Sequence, residues 1–492
     1  MNTFTESLGL ALRMIVGADV ELLQIVRLSL QVSSLACLFG AAIGLVLGAW
    51  LAVARFRGLG VAVWALNTAL AMPAVVTGLV VYLLLSRAGP LGAFGILFTP
   101  GAMVVAQTLL VVPLIAALAR RLVVDSMQEG GDQLRSLGAA PLTSALLMLV
   151  HERFALLTIM LTAFGRAISE VGTVMIVGGN IAGVTRVMTT AIALETTKGD
   201  LPLALALGIV LLAVVGALNL GIDALRIAGS RSLRDESGPT EHVPSLEPLP
   251  RRPASPPLPL ITLRGATVRF GTVTALRDVA LTLHRGERLA LVGANGSGKT
   301  TLLRLLHGLL PDTGDCQRLP LQPEGRRPVA AMLFQRPFLL RLSVRRNVLI
   351  GLWLRGVPRG EREARCSGAL RRVGLSALSA RPARALSGGQ QQRLALARAR
   401  ALAPDILYLD EPTASLDPSA KNEVEALIAE IAASGVTLVI STHNLGQAKR
   451  LATRVAYLEG GRLVVDLPVA RYFTDVLPPE AARFLKGELP WI

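Results

Sequence analysis

Eight residues, Gly293-Ala-Asn-Gly-Ser-Gly-Lys299-Thr300, constrain the fold of this chain more than any other stretch. They match the phosphate-loop pattern G-x-x-x-x-G-K-[ST], in which glycines let backbone N–H groups approach phosphate oxygens. In this pattern Gly293, Asn295, Gly296, Ser297 and Gly298 form the cradle. Lys299, Thr300 and Thr301 open a helix whose N-terminus receives the anion. The flanks agree. Leu289–Val292 is a short apolar run of the kind found in buried parallel strands, and Thr301–His307 reads as the helix that follows. The expected local unit is therefore strand, loop, helix, within an α/β layer.

A second motif supplies acids. Ile406-Leu-Tyr-Leu-Asp410 is an apolar strand ending in a carboxylate, a position suited to holding Mg²⁺, and Glu411 follows at once. Glu411 is placed to polarise the water that attacks a terminal phosphate. The plainer alternative is a solvated acidic pair at a strand end.

A third motif names a family. Leu386-Ser387-Gly388-Gly389-Gln390, followed by Gln391-Gln-Arg393, resembles the signature of ABC-transporter ATPases, and the resemblance spans about residues 260 to 470. It implies roles for other positions. Gln335 resembles the Q-loop residue and joins Thr300 and Asp410 as a Mg²⁺ contact. Ser415-Leu-Asp417 resembles the D-loop, His443 the switch histidine, and Phe270 the aromatic residue that stacks on adenine. The catalytic set implied is Glu411, His443 and Gln335, with ATP and Mg²⁺ as cofactors. In that family the signature works in trans, so Ser387, Gly388, Gly389 and Gln390 of one copy would face the nucleotide held by another. One copy per chain then implies a homodimer with two hydrolysing sites.

The first half of the chain has a different composition. Apolar runs recur in spans near 30–54, 61–85, 103–119, 154–177 and 201–222, each close to the ~20 residues that cross a bilayer. An ATPase in the cytosol and an odd number of spans place the N-terminus outside. Arg55, Arg57, Arg120, Arg121, Arg135 and Arg153 then fall in cytoplasmic loops, with Arg87 outside; Arg13 runs against the pattern. Residues 1–24, interrupted by Asp19 and Glu21, are expected to form an interfacial segment rather than a signal peptide.

Two stretches within this half point to transport. Asp132-Gln-Leu-Arg-Ser-Leu-Gly138, within 129–150, resembles the EAA coupling loop of ABC importer permeases, with Gln133-Leu134 where small residues are usual. Asp132 and Gly138 carry the likeness, and the groove around Gln335 is the expected docking surface. The segment Gly165–Asn180 with Thr185–Asp200 resembles the permeases of tungstate importers and, more broadly, the molybdate and sulfate group. Arg166 and Glu170 stand one helical turn apart and can neutralise each other within a span. Gly178, Gly179 and Asn180 could offer N–H groups to an oxyanion, or could serve helix packing.

The expected organisation is an α-helical transmembrane permease of type I importer character at 1–228, a proline-rich tether at 229–259, and an α/β P-loop ATPase at 260–492. The resemblance implies a separate substrate-binding protein, an oxyanion cargo, and a bacterial inner-membrane location with the ATPase in the cytoplasm. The net charge of +16 is spread along loops and helices, which suits anionic lipid better than nucleic acid. Cys37, Cys316 and Cys366 lack metal spacing and are expected as free thiols. An ABC exporter is the alternative from another class, and a membrane-anchored ATPase acting on lipid or on division machinery is a third.

Overall fold

The computed structural model describes residues 2–231, 258–311, 314–320 and 325–487; the expected tether at 229–259 falls almost wholly outside these. The chain packs as two units, residues 1–128 with 141–233, and residues 129–140 with 234–492.

The first unit is helical: α1 (Asn2–Val16), α2 (Val20–Val53), α3 (Leu59–Ala71), α4 (Ala74–Leu85), α5 (Pro100–Ser136, of which residues 129–136 belong to the second unit), α6 (Pro141–His151), α7 (Arg153–Ile168), α8 (Gly172–Gly178), α9 (Met188–Lys198) and α10 (Leu201–Arg231). Small residues decide how its long helices meet. Gly40, Gly44 and Gly48 form a stripe at four-residue spacing on α2. A Cβ at these positions would lie 2.6 Å from Val111, 2.9 Å from Ile115 and 2.5 Å from the Ala116 carbonyl of α5. Such close backbone approach is how helices associate where lipid removes the hydrophobic drive between them.

Among the described residues three helices are long and apolar enough to cross a membrane, or five if each bent pair is one span. The apolar runs do not all become single helices. The run 61–85 breaks at Met72-Pro73, where proline lacks a donor and holds its neighbour extended, and α3 and α4 meet at 100°. The run 154–177 is interrupted between α7 and α8, and α7 forms its bent pair with α6, at 81°. Asp19 and Glu21 stand at the start of a helix. Asp19 Oδ1 accepts from Leu22 N–H at 3.1 Å as the N-cap of α2, and Ala11 of α1 is wholly buried beside Leu22, Leu203 and Leu207.

The second unit is α/β. Its small antiparallel sheet has the order β2-β1-β4, from β1 (Pro259–Phe270), β2 (Val273–His284) and β4 (Asp315–Arg318). Its main sheet has the order β5-β6-β7-β3-β8-β9, from β3 (Arg288–Val292), β5 (Ala330–Leu333), β6 (Ile406–Asp410), β7 (Thr437–Thr442), β8 (Arg454–Glu459) and β9 (Arg462–Pro468). All neighbours are parallel except β8 and β9. Strands β6 and β7 are buried along their whole length, their apolar centres Ile406–Leu409 and Leu438–Ile440 flanked by the buried polar residues Asp410, Thr437, Ser441 and Thr442. Helices α11 (Lys299–His307), α12 (Val344–Leu354), α13 (Arg359–Arg372), α14 (Gly388–Ala401), α15 (Pro418–Ala433), α16 (Leu445–Leu451), α17 (Val469–Thr474) and α18 (Pro479–Lys486) complete the unit. Since β6, β7 and β3 are adjacent, their C-terminal ends bring residues 293–300, 410–411 and 441–443 to one edge.

Candidate active site

The phosphate loop follows β3 with Gly293, Gly296 and Gly298 at φ of 148°, 79° and 102°, a left-handed region that side chains disfavour. A Cβ at Gly293 would lie 2.2 Å from the Leu458 carbonyl. Gly298 begins α11 without a side-chain cap, which leaves the first-turn N–H groups, those of Lys299, Thr300 and Thr301, facing the loop. Lys299 is buried and its ammonium donates to the Gly293 and Ala294 carbonyls at 2.8 Å each. Burial pushes the Lys299 ammonium below its ordinary range, opposed by the charges of Glu411 and Asp410. Ser297 Oγ is buried with no hydrogen-bond partner among the described residues. A loop of open amides, one cation and an unmatched hydroxyl fits a phosphate group. Asn295 and Gly296 sit exposed at the loop tip, and Phe270 is half-exposed at the end of β1, opposite Val273.

Three of the residues marked from the sequence meet at one atom. Gln335 Nε2 donates to Glu411 Oε2 at 3.4 Å, and His443 Nδ1 lies 3.3 Å from the same oxygen. Glu411 has φ of +44°, unusual outside glycine, and its N–H is held by Ser441 O and Ser441 Oγ, both at 3.1 Å. Asp410 is buried and its Oδ1 accepts from Thr300 Oγ1 at 3.0 Å and from Ser441 Oγ at 2.6 Å. Sequence reasoning missed Ser441. Its importance comes from strand register, which pairs Asp410 with Ser441 across β6 and β7.

The signature residues lie at the start of α14. Ser387 and Gln390 form a capping box, Ser387 N–H donating to Gln390 Oε1 at 3.0 Å. Ser387 and Gly388 are exposed, whereas Gly389 is buried because a Cβ there would lie 2.7 Å from Ala420 Cβ on α15. Asp417 caps α15 through Ala420 N–H at 2.9 Å, so signature and D-loop pack together.

In residues 129–140, Asp132 pairs with Arg135 at 3.5 Å and with Arg304 of α11 at 3.6 Å. Gly138 turns the chain at φ of +90° against Arg355, and Leu137 joins the hydrophobic core of the second unit. The segment that resembles the coupling loop consists of the last turns of α5 and a tight bend before α6.

In the first unit, Glu170 is buried and its Oε1 accepts from Gly172 N–H at 3.0 Å and Thr173 N–H at 3.4 Å, capping α8; Arg166 is half-exposed, 3.9 Å from Oε2. Gly178 O accepts from Thr185 Oγ1 at 2.6 Å. The N–H groups of Gly179 and Ile181 are spent on Met175 O and Thr185 Oγ1. Asn180, at φ of +49°, donates to Thr190 O at 3.4 Å. These bonds hold the turn together and leave fewer free donors for an oxyanion than the sequence suggested. A charge cluster went unread: Arg186 lies 3.3 Å from Glu21 and 3.6 Å from Glu195, which also pairs with Lys198 at 3.0 Å. Cys37, Cys316 and Cys366 are free thiols.

Comparison with known proteins closes the question of family. A family model described as ABC transporter matches residues 276–414. The tungstate uptake system permease protein TupB of Peptoclostridium acidaminophilum is 41% identical over 226 residues, 46% of this chain and 99% of that protein. The chain belongs to the ABC transporter family. A probable anion ABC transporter permease protein of Haloferax volcanii is 42% identical over 209 residues, 42% of this chain and 88% of that protein. The phosphate import ATP-binding protein PstB 2 of Natronomonas pharaonis is 37% identical over 250 residues, 46% of this chain and 87% of that protein. The permease likeness falls on the N-terminal region and the ABC model on the C-terminal region, so this ABC transporter joins importer-type permease and ATPase in one polypeptide. It is a membrane protein that binds nucleotide and couples ATP hydrolysis to transport.

Proposed function

We propose that this chain is half of an oxyanion importer, with tungstate as its foremost cargo, and that two copies take the anion from a separate binding protein and release it into the cytoplasm. The likeness to a tungstate permease along nearly that protein's whole length carries the reading. Molybdate and sulfate are the nearest alternatives in charge and shape. The membrane is the bacterial inner membrane, with the second unit on the cytoplasmic side, where ATP is available.

The geometry supports the following residue roles. Thr300 Oγ1 and Asp410 would hold Mg²⁺ with help from Gln335, a hard-cation donor set of hydroxyl, carboxylate and amide oxygens. Mg²⁺, when bound, would neutralise charge on the transferring phosphate. Lys299 and the loop amides hold the phosphates, and Phe270 offers a face to the adenine. Glu411 accepts the proton of the attacking water, and His443 and Gln335 orient its carboxylate from either side. Ser387 and Gly389 of a second copy complete the site, with Gly388 and Gln390 shaping the same turn. Asp132 and Gly138 dock the permease segment on the ATPase. Arg166, Glu170, Gly178, Gly179 and Asn180 hold the fold near the cargo path.

The test is phosphate release by the full chain in lipid vesicles, with the candidate binding protein loaded in turn with tungstate, molybdate, sulfate and phosphate. Stimulation by the tungstate-loaded protein is expected. Equal rates with and without every loaded partner would overturn the importer cargo reading and favour an exporter.

A further inference from the structure

Gln133, which stands where the coupling-loop resemblance calls for a small residue, is almost fully buried. Its side-chain amide is spent on three residues of the ATPase. Gln133 Nε2 donates to Arg336 O at 2.8 Å, and Gln133 Oε1 accepts from Phe338 N–H at 2.7 Å and from Arg398 Nη2 at 3.2 Å. Arg398 Nη1 in turn donates to Phe338 O at 3.1 Å, which closes a ring of hydrogen bonds through Gln133, Phe338 and Arg398.

The members of this ring sit on parts of the ATPase that must act together. Residues 336–338 directly follow Gln335, whose amide reaches Glu411. Arg398 lies on α14, the helix that begins at the signature Ser387. Arg398 is buried, and among the described residues no carboxylate pairs with it; burial pushes its guanidinium down to about 10. Space for its stem comes from Gly351 on α12, where a Cβ would lie 3.2 Å from Arg398 Cγ. Space for the 129–140 segment comes from Gly130, where a Cβ would lie 2.6 Å from the Phe338 ring. A buried cation held by neutral acceptors depends on every one of them, because leaving it unmatched costs more than a typical hydrogen bond returns.

We propose that Gln133 is a positioning residue that locks the Gln335 segment and the signature helix into one register while the coupling segment is docked. Withdrawal of the segment leaves the Phe338 N–H without its acceptor and Arg398 with Phe338 O alone, so the two ATPase elements are freed together. An alanine at 133 could not reach either, which makes this coupling a property of the glutamine side chain rather than of docking in general. The inference deepens the docking role proposed above for residues 129–140 and is independent of which anion is carried.

The test is amide hydrogen exchange over residues 335–340 and 387–400 in the full chain, held in lipid nanodiscs without nucleotide, together with basal phosphate release. In Gln133→Ala, exchange at the Phe338 N–H is expected to rise about tenfold or more, with a parallel rise across the start of α14. Gln133→Glu keeps an acceptor for Phe338 N–H and for Arg398, so it should protect that amide as the wild type does while losing the bond to Arg336 O. Should Gln133→Ala fold poorly, Arg398→Met in the same background removes the stranded cation and is expected to restore the folded yield. Unchanged exchange in Gln133→Ala, identical behaviour of the Ala and Glu variants, or strictly additive effects of Gln133→Ala and Arg398→Met would each overturn the proposal. A wild type unresponsive to any loaded binding protein would sink the cargo reading and leave these outcomes as they stand.

Discussion

Ser441 Oγ donates to Asp410 Oδ1 at 2.6 Å, and the same hydroxyl accepts the N–H of Glu411. One side chain thus fixes both the proposed metal-binding carboxylate and the backbone that carries the proposed base. Ser441→Ala is expected to lower ATP turnover by roughly 10- to 100-fold, the range seen when the partner of a metal-binding carboxylate is removed, and to raise the Mg²⁺ concentration needed for half-maximal rate. Steady-state phosphate release across a Mg²⁺ titration checks this; wild-type dependence on Mg²⁺ would refute the positioning role.

Glu411 Oε2 is the atom on which Gln335 and His443 converge. Glu411→Gln preserves shape but removes the proposed base, so hydrolysis should fall by about 100-fold or more while ATP binding persists. Two copies should then accumulate as a nucleotide-closed dimer, measurable by light scattering and by retained labelled ATP. Normal turnover in this variant would remove Glu411 from the catalytic role. Lys299→Ala, which takes away the loop's cation, should lose hydrolysis and nucleotide affinity together.

Gly48 on α2 faces the Ala116 carbonyl, 2.5 Å from where a Cβ would sit, while Gly60 on α3 has open space around it. Gly48→Ala should therefore lower the unfolding temperature of the detergent-solubilised chain, by a strain of about 1–3 kcal/mol, and Gly60→Ala should not. Equal unfolding temperatures for the two variants would show that α2 and α5 do not rely on this contact.

His307 is half-buried, but both its ring nitrogens are buried and neither is hydrogen-bonded among the described residues; its ring meets Tyr408 edge-on at 5.6 Å. Burial, assisted by the charges of Arg355 and Arg318, pushes its pKa down to about 4. The folded state therefore resists the proton that the unfolded chain accepts first. Stability is full above the ordinary histidine range near 6.5 and is lost as pH falls toward 4, with a slope of at most about 1.4 kcal/mol per pH unit. His307→Phe keeps the ring contact and should flatten the pH dependence of unfolding in that window. A wild type and a variant that lose stability in parallel between pH 6.5 and 4.5 would contradict the assignment.

Much of this protein was legible before any tertiary contact was known, because its main signals are local. The phosphate loop between an apolar strand and a helix, the acids that end β6, and the capping box of Ser387 and Gln390 are set by neighbours a few positions apart. The apolar runs of the first half likewise report bilayer-length segments, although hydropathy records neither the 100° angle at which α3 and α4 meet nor the interruption between α7 and α8. Gly40, Gly44 and Gly48 passed unnoticed because a glycine stripe acquires meaning only when a second helix lies against it.

The residue types and spacing of Gly293 to Thr300, Asp410-Glu411 and Leu386 to Gln390 were determined by the sequence itself, since each motif is a covalent run of a few neighbouring residues. Tertiary structure alone decided which distant groups share an atom. Strand register set Ser441 opposite Asp410, sheet order brought Gln335 and His443 to one oxygen of Glu411, and packing placed Gln133 against an arginine 265 positions away. Hydrogen bonds of this kind act over about 3 Å, and nothing in a linear pattern records which residues will come that close until the core has excluded water and left them no other partner.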